Sequence, residues 1–222
     1  MTGYRRLVID LEFNPVKRLP EQEDPSHLLN YEIIEIAAVI LDDDNKTCDR
    51  FQCYVRPEHA DSIAPEITKL TGITYDDVKD ADCYEESLDS FIEWVGDRKI
   101  TAYSWSKTDK LQIMREAEFK GFLPKAQAVF PRWIDLQRIY SRKMGLTRPA
   151  NLTTALNILQ ITFVGAEHSA LADAENTAQI LAMLCDSKRM DELKSRSRVT
   201  FNSKDMGGFK LSDMIKVKTR KK

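Results

Sequence analysis

The first 57 residues constrain the fold most. Three apolar, β-branched segments follow one another with no helical pattern between them. Tyr4–Phe13 ("YRRLVIDLEF") reads as a strand, and "PVKRLPEQEDPSH", with three prolines and many charges, reads as a loop. "YEIIEIAAVIL" reads as a second strand, "DDDNK" as a turn, and "CDRFQCYVRP" as a third strand that stops at a proline. Strands joined by loops without helices suggest an antiparallel meander. From there the period changes. "SIAPEITKLTGIT" predicts a short helix ending at Gly72, and "YEESLDSFIEWVGD" has apolar residues at helical spacing. "KITAYS" and "RWID" predict further strands, leading into the helices "TDKLQIMREAEFKG" and "LQRIYSRKMG". "NLTTALNILQI" and "ALADAENTAQILAMLCD" predict two more. A meander followed by alternating strands and helices is an α/β arrangement with a mixed sheet.

Length and composition set outer limits. A chain of 222 residues with 42% hydrophobic and 31% charged residues can bury one substantial core, and is not disordered. No apolar run reaches the length of a membrane span, and the N-terminus runs almost directly into the first strand, so no signal peptide is expected. Cys48, Cys53, Cys83 and Cys185 are scattered, which predicts free thiols, a cytoplasmic location and no zinc site. Net charge is −2 but uneven: residues 187–222 carry twelve Lys/Arg and four Asp/Glu, net +8, leaving −10 on the rest. We therefore expect an acidic domain over 1–186 that gathers metal ions, followed by a basic extension over 187–222 that either lengthens the track for substrate phosphates or merely solvates a flexible end.

The first strand holds a contradiction. Side chains alternate along a strand, so Asp10 and Glu12 share one face while Leu7, Ile9, Leu11 and Phe13 take the other. Two carboxylates side by side repel and are costly to desolvate. A divalent cation such as Mg²⁺ or Mn²⁺ removes that cost. Alone, a D-x-E most simply marks a solvent-exposed face, so the question is whether other acids converge on it. Asp109 follows the strand "KITAYS" near a helix start, where α/β proteins place their crevice. Ser106-x-x-Asp109 equally fits a capping box. Asp173 falls in an apolar helical row with Ala170, Thr177, Ile180 and Leu184, and an acid there needs a partner. His168, five residues earlier, belongs to the loop feeding that helix, where an imidazole can accept a proton near neutral pH. Asp135 most simply caps the helix it precedes.

"IDLEF", "SWSKTD" and "HSALADA", in this order, resemble the three motifs of the DEDDh 3′-to-5′ exonucleases, within the DnaQ-like, ribonuclease-H-like superfamily. The position four before Asp173 is Ser169, not the tyrosine of the DEDDy class. "YEIIEIAAVIL", "ITKLTGIT" and the Ser-Trp-Ser before Asp109 are similar to the subfamily holding the histone-mRNA 3′ exonuclease and the sporulation-inhibitor exonuclease. Phe13 stands where relatives often have Thr. The resemblance implies a ribonuclease-H-like five-stranded mixed sheet flanked by helices. It implies that Asp10, Glu12, Asp109 and Asp173 hold two divalent cations, Mg²⁺ or Mn²⁺, and that His168 takes the proton of the attacking water. Nucleoside 5′-monophosphates would leave single-stranded RNA or DNA 3′ ends, RNA being favoured. Leu11 and Phe13, flanking the first motif, would contact the terminal nucleotide, although core packing is the simpler fate of Leu11. The alternatives are a DNA-directed proofreading module, which the Ser-Trp disfavours, and a weakly active binding or regulatory protein, which would need a broken motif. No membrane contact is expected, and no protein partner is implied.

Overall fold

A computed structural model of the chain describes residues 4–16 and 29–192. The predicted "PVKRLPEQEDPSH" loop beyond Val16, and most of the basic extension, lie outside the described residues. The chain divides into two units, Met1–Cys185 and Asp186–Lys222. The second is described only as far as residue 192, where it is helical from 187.

In the first unit β1 (Arg5–Pro15), β2 (Tyr31–Leu41) and β3 (Thr47–Tyr54) form the expected antiparallel meander. β4 (Ile100–Ser104) then pairs parallel to β1, and β5 (Trp133–Asp135) parallel to β4, giving the order β3-β2-β1-β4-β5. Between β3 and β4 lie α1 (Pro65–Thr71), α2 (Tyr75–Val78) and α3 (Tyr84–Val95). Next come α4 (Thr108–Phe119) and α5 (Leu123–Val129) before β5, then α6 (Leu136–Met144), α7 (Leu152–Leu159) and α8 (Ala170–Cys185).

β1 is the central strand and is covered on both faces: Leu7, Val8 and Ile9 are all fully buried. Leu7, Ile9 and Leu11 face a core built with Ile36, Ala38 and Ile40 of β2, Tyr84, Leu88 and Phe91 of α3, and Ile113 and Ala117 of α4. Phe91 meets Phe51 edge-on at 5.2 Å between centroids, and burying such a ring contributes about 1.5–3 kcal/mol. α8 packs on the opposite face against β1 and β2, with α7 behind it. Its row Ala170, Thr177, Ile180 and Leu184 is buried.

Local chemistry accounts for most boundaries. Asn151 caps α7 by accepting from the Thr154 amide at 2.8 Å, and Asp135 caps α6 by accepting from Arg138 at 2.9 Å. Gly72 and Gly145 end their helices at positive φ. Two short helices, α2 and α5, were not expected. Each is too short to show an apolar period; the capping box Thr74/Asp77 marks α2, and Pro124 in the first turn marks α5.

Candidate active site

β4 pairs with β1 only as far as Val8, opposite Tyr103. Beyond that point β1 runs on without its parallel neighbour, and Asp10 and Glu12 stand at the opening. Three rows cross the sheet on this face: Val8–Val39–Arg50, Asp10–Ala37–Gln52 and Glu12–Glu35–Tyr54. A register shift between Glu12 and Phe13 ends the regular alternation immediately after the two acids.

α8 brings the third acid. Carboxylate oxygens of Asp10, Glu12 and Asp173 all lie within 4.8 Å of one another, each side chain partly buried. Asp109 stands just outside this trio, and among the neighbouring carboxylates it presses hardest on Asp10. The capping-box reading of Ser106 and Asp109 fails. The N-cap of α4 is Lys107, one residue later than that box requires, and the Ser106 hydroxyl accepts instead from the Thr108 amide at 3.1 Å. Asp109 is thus free to turn inward, where it is 6% exposed and accepts the backbone amide of Leu11. That amide lies where β1 has outrun β4, so an acid from the next segment takes the place of the missing ladder partner. The Ser104 hydroxyl, which accepts from Trp133 Nε1 at 2.9 Å and donates to the Ser106 carbonyl, lies against Asp109.

Burial, and then mutual repulsion, raise these acids. Asp10 lies well above the usual carboxylate range, through burial and then the charges of Asp109, Asp173, Glu12 and Glu35. Burial, with Glu35 next, pushes Glu12 up to about 8. Asp109 rises to about 7, burial outweighing its hydrogen bonds. Asp173 rises to about 6 through burial, against the lowering effect of the His168 charge and of the His168 backbone amide it accepts.

His168 lies on the loop before α8, exposed, with φ of 64°. That left-handed backbone is unfavourable for a residue with a Cβ. It is held by a clasp: Asn176 of α8, fully buried, accepts from the Val164 amide at 3.1 Å and donates to the Val164 carbonyl at 2.8 Å. Gly165, at φ 90°, passes so close to α8 that a Cβ there would sit 2.8 Å from the Ala172 Cβ.

The remaining expected residues divide. Leu11 is 3% exposed within the main core, so its side chain is not offered to a ligand; only its amide reaches the site. Phe13 is half-buried against the same core just past the bulge. Trp105 packs 5.5 Å from the Tyr140 ring and donates to the Ala150 carbonyl, a core role. Asp135 is the cap described above, yet its charge also reaches Asp109.

Sequence reading missed Glu35. It lies in the apolar run of β2, directly across from Glu12, and is 3% exposed. An ionisable residue inside "IIEIAAV" was the available signal. Asn176, a fully buried amide on α8, was missed as well.

The match to known proteins follows this architecture. A family model described as Exonuclease matches residues 7–181. The mouse (Mus musculus) protein named 3′-5′ exoribonuclease 1 is 30% identical over 199 residues, covering 85% of this chain and 54% of the relative. ERI1 exoribonuclease 2 of Xenopus laevis is 31% identical over 191 residues, covering 76% of this chain and 28% of the relative. The chain therefore spans about half or less of the length of these curated relatives. Among solved structures, the nuclease domain of 3′hExo, a DEDDh family member bound to rAMP, superposes with a TM-score of 0.69 at 27% identity. It covers 82% of this chain and 92% of that one. Since the model spans every element from β1 to α8 and the fold agrees, the chain belongs to the exonuclease family.

Proposed function

We propose that the chain is a metal-dependent 3′-to-5′ exonuclease that releases nucleoside 5′-monophosphates from single-stranded ends, with RNA favoured over DNA. The observation that carries this reading is the convergence of Asp10, Glu12 and Asp173 from two distant segments to within 4.8 Å. Their donor chemistry fits hard divalent cations. Their raised proton affinities mark negative charge that the surrounding protein leaves uncompensated. Asp10, Glu12, Asp109 and Asp173 would hold two ions, Mg²⁺ or Mn²⁺, which when bound supply an acidified water and counter-charge for the phosphoryl oxygens.

The chain's own residues do the rest. Exposed on its loop beside Asp173, His168 accepts the proton of the attacking water. Asp109 and the Leu11 amide brace each other, keeping the strand end fixed beneath the scissile group. Phe13, at the bulge, contacts the terminal nucleotide, with Leu11 supporting it from the core. Residues 1–186 form the exonuclease domain, and the basic segment 187–222 extends its contact with phosphates. The names of the relatives, exoribonucleases, support RNA. Among the described residues no helix is long and apolar enough to cross a membrane.

The test uses 3′-labelled and 5′-labelled single-stranded RNA and DNA of equal sequence, with Mg²⁺, Mn²⁺ or EDTA. Mononucleotide should leave the 3′-labelled strand first, and EDTA should stop it. Internal cuts, or unchanged release in EDTA, would overturn the reading.

A further inference from the structure

We propose that Glu35 is a positioning residue. Its carboxylate ties the first amide of α8 to β2 and so sets where Asp173 and His168 stand relative to Asp10 and Glu12. What the site does rests on the exonuclease reading above; the tether itself does not.

The first amides of a helix have no acceptor within it. Here the Ala170 amide, at the first position of α8, donates to Glu35 Oε2 at 3.3 Å, from a residue 135 positions earlier. Ala170 is two residues after His168 and three before Asp173. The other oxygen, Oε1, accepts from Gln52 Nε2 on β3 at 2.6 Å, which fixes the carboxylate's orientation. The cap is thus supplied by the sheet rather than by the helix's own flanking residue. A carboxylate is the favoured group at a helix N-terminus. Both donors are neutral, and the group directly across the strand pair is Glu12, another acid. A charge buried at 3% exposure beside like charges is costly, and the tether accounts for its place. A separate contact, Arg50 Nε to Glu175 Oε1 at 2.6 Å, also joins β3 to α8, so loss of the tether frees the helix start without undocking the helix.

The test compares Glu35→Gln, Glu35→Asp and Glu35→Ala in the full chain. Gln keeps an acceptor of the same length for the Ala170 amide, with Gln52 turning its amide to match. Asp keeps the charge but is one methylene too short to bridge both donors. Amide hydrogen exchange at Ala170, in EDTA and without substrate, should quicken about tenfold in the Asp and Ala variants, the worth of one hydrogen bond, and stay near wild type in Gln. In turnover, Asp and Ala should lower kcat about 10²-fold with KM little changed, as for a misplaced catalytic group, while Gln stays within a few-fold. Unchanged Ala170 exchange in both Asp and Ala would overturn the tether. So would a Gln variant as damaged as Ala, which would make the charge the relevant property. Should wild type release no mononucleotide, the exonuclease reading fails while the exchange comparison still decides the tether.

Discussion

Replacing Asp173 with Asn should make the metal-free protein more stable while removing its response to metal. Burial raises the Asp173 carboxyl from 3.8 to about 6. At about 1.4 kcal/mol for each tenfold change in proton affinity the full shift would cost about 3 kcal/mol, and solvent reaching the partly buried carboxylate screens this to about 2 kcal/mol. A group whose folded value is raised contributes its stability below the unfolded value and loses it as pH rises through the folded one. The wild type should therefore lose this increment between about pH 4 and pH 6, and Asp173→Asn should not. Asn keeps an oxygen for the His168 amide, so the comparison isolates charge. For a domain of this size about 2 kcal/mol corresponds to a Tm difference of about 4–8 °C. In EDTA the two melting curves should coincide below pH 4 and separate by that amount at pH 7.5. At 100-fold above its dissociation constant, Mn²⁺ should then stabilise wild type by about 2.7 kcal/mol and the variant far less, narrowing or reversing the gap. Differential scanning calorimetry across pH, with and without Mn²⁺, reads every quantity. A variant no more stable than wild type at pH 7.5 in EDTA, or a gap independent of pH, would refute the reasoning.

Three further outcomes are expected. His168→Ala should lower kcat by about 10²–10⁴-fold while leaving the Mn²⁺-induced rise in Tm intact, since the imidazole is not among the converging acids; loss of that rise would assign the residue to the metal. Gly165→Ala should reduce stability and kcat together, because its φ is 90° and the new Cβ would lie 2.8 Å from Ala172; Ala172→Gly in the same chain should restore part of both, and no recovery would locate the damage elsewhere. Lys120, 8% exposed by side chain, sits between fully buried Glu32 and Glu116 at 3.4 and 2.9 Å. Lys120→Met should cost about 3–5 kcal/mol in urea unfolding by stranding those carboxylates, with Glu116→Gln recovering part, and a loss below 1 kcal/mol would show the cluster relaxes.

The meander, the switch to helices and the acids of the site were legible because each is a short-range signal. Alternation in "LVIDLEF" put Asp10 and Glu12 on one side and Leu11 on the core side, where the structure buries it. The helical row containing Asp173 showed an acid in need of a partner, but not which one. Ser106 and Asp109 read as a cap because local spacing admits a cap; Leu11, about a hundred residues earlier, outbids it with an amide left bare where β1 outruns β4. Glu35 was hidden inside an apolar strand, since its partners Gln52 and Ala170 come from other elements. Sequence by itself determined which residues alternate, where the longer helices run, and which side chains could bind a cation, all properties of a few neighbouring residues. The tertiary structure alone decided which strand lost its neighbour beyond Val8, which helix capped onto which sheet, and hence that acids from separate segments meet. Those outcomes depend on pairing register and packing across the whole chain, and no local pattern encodes them.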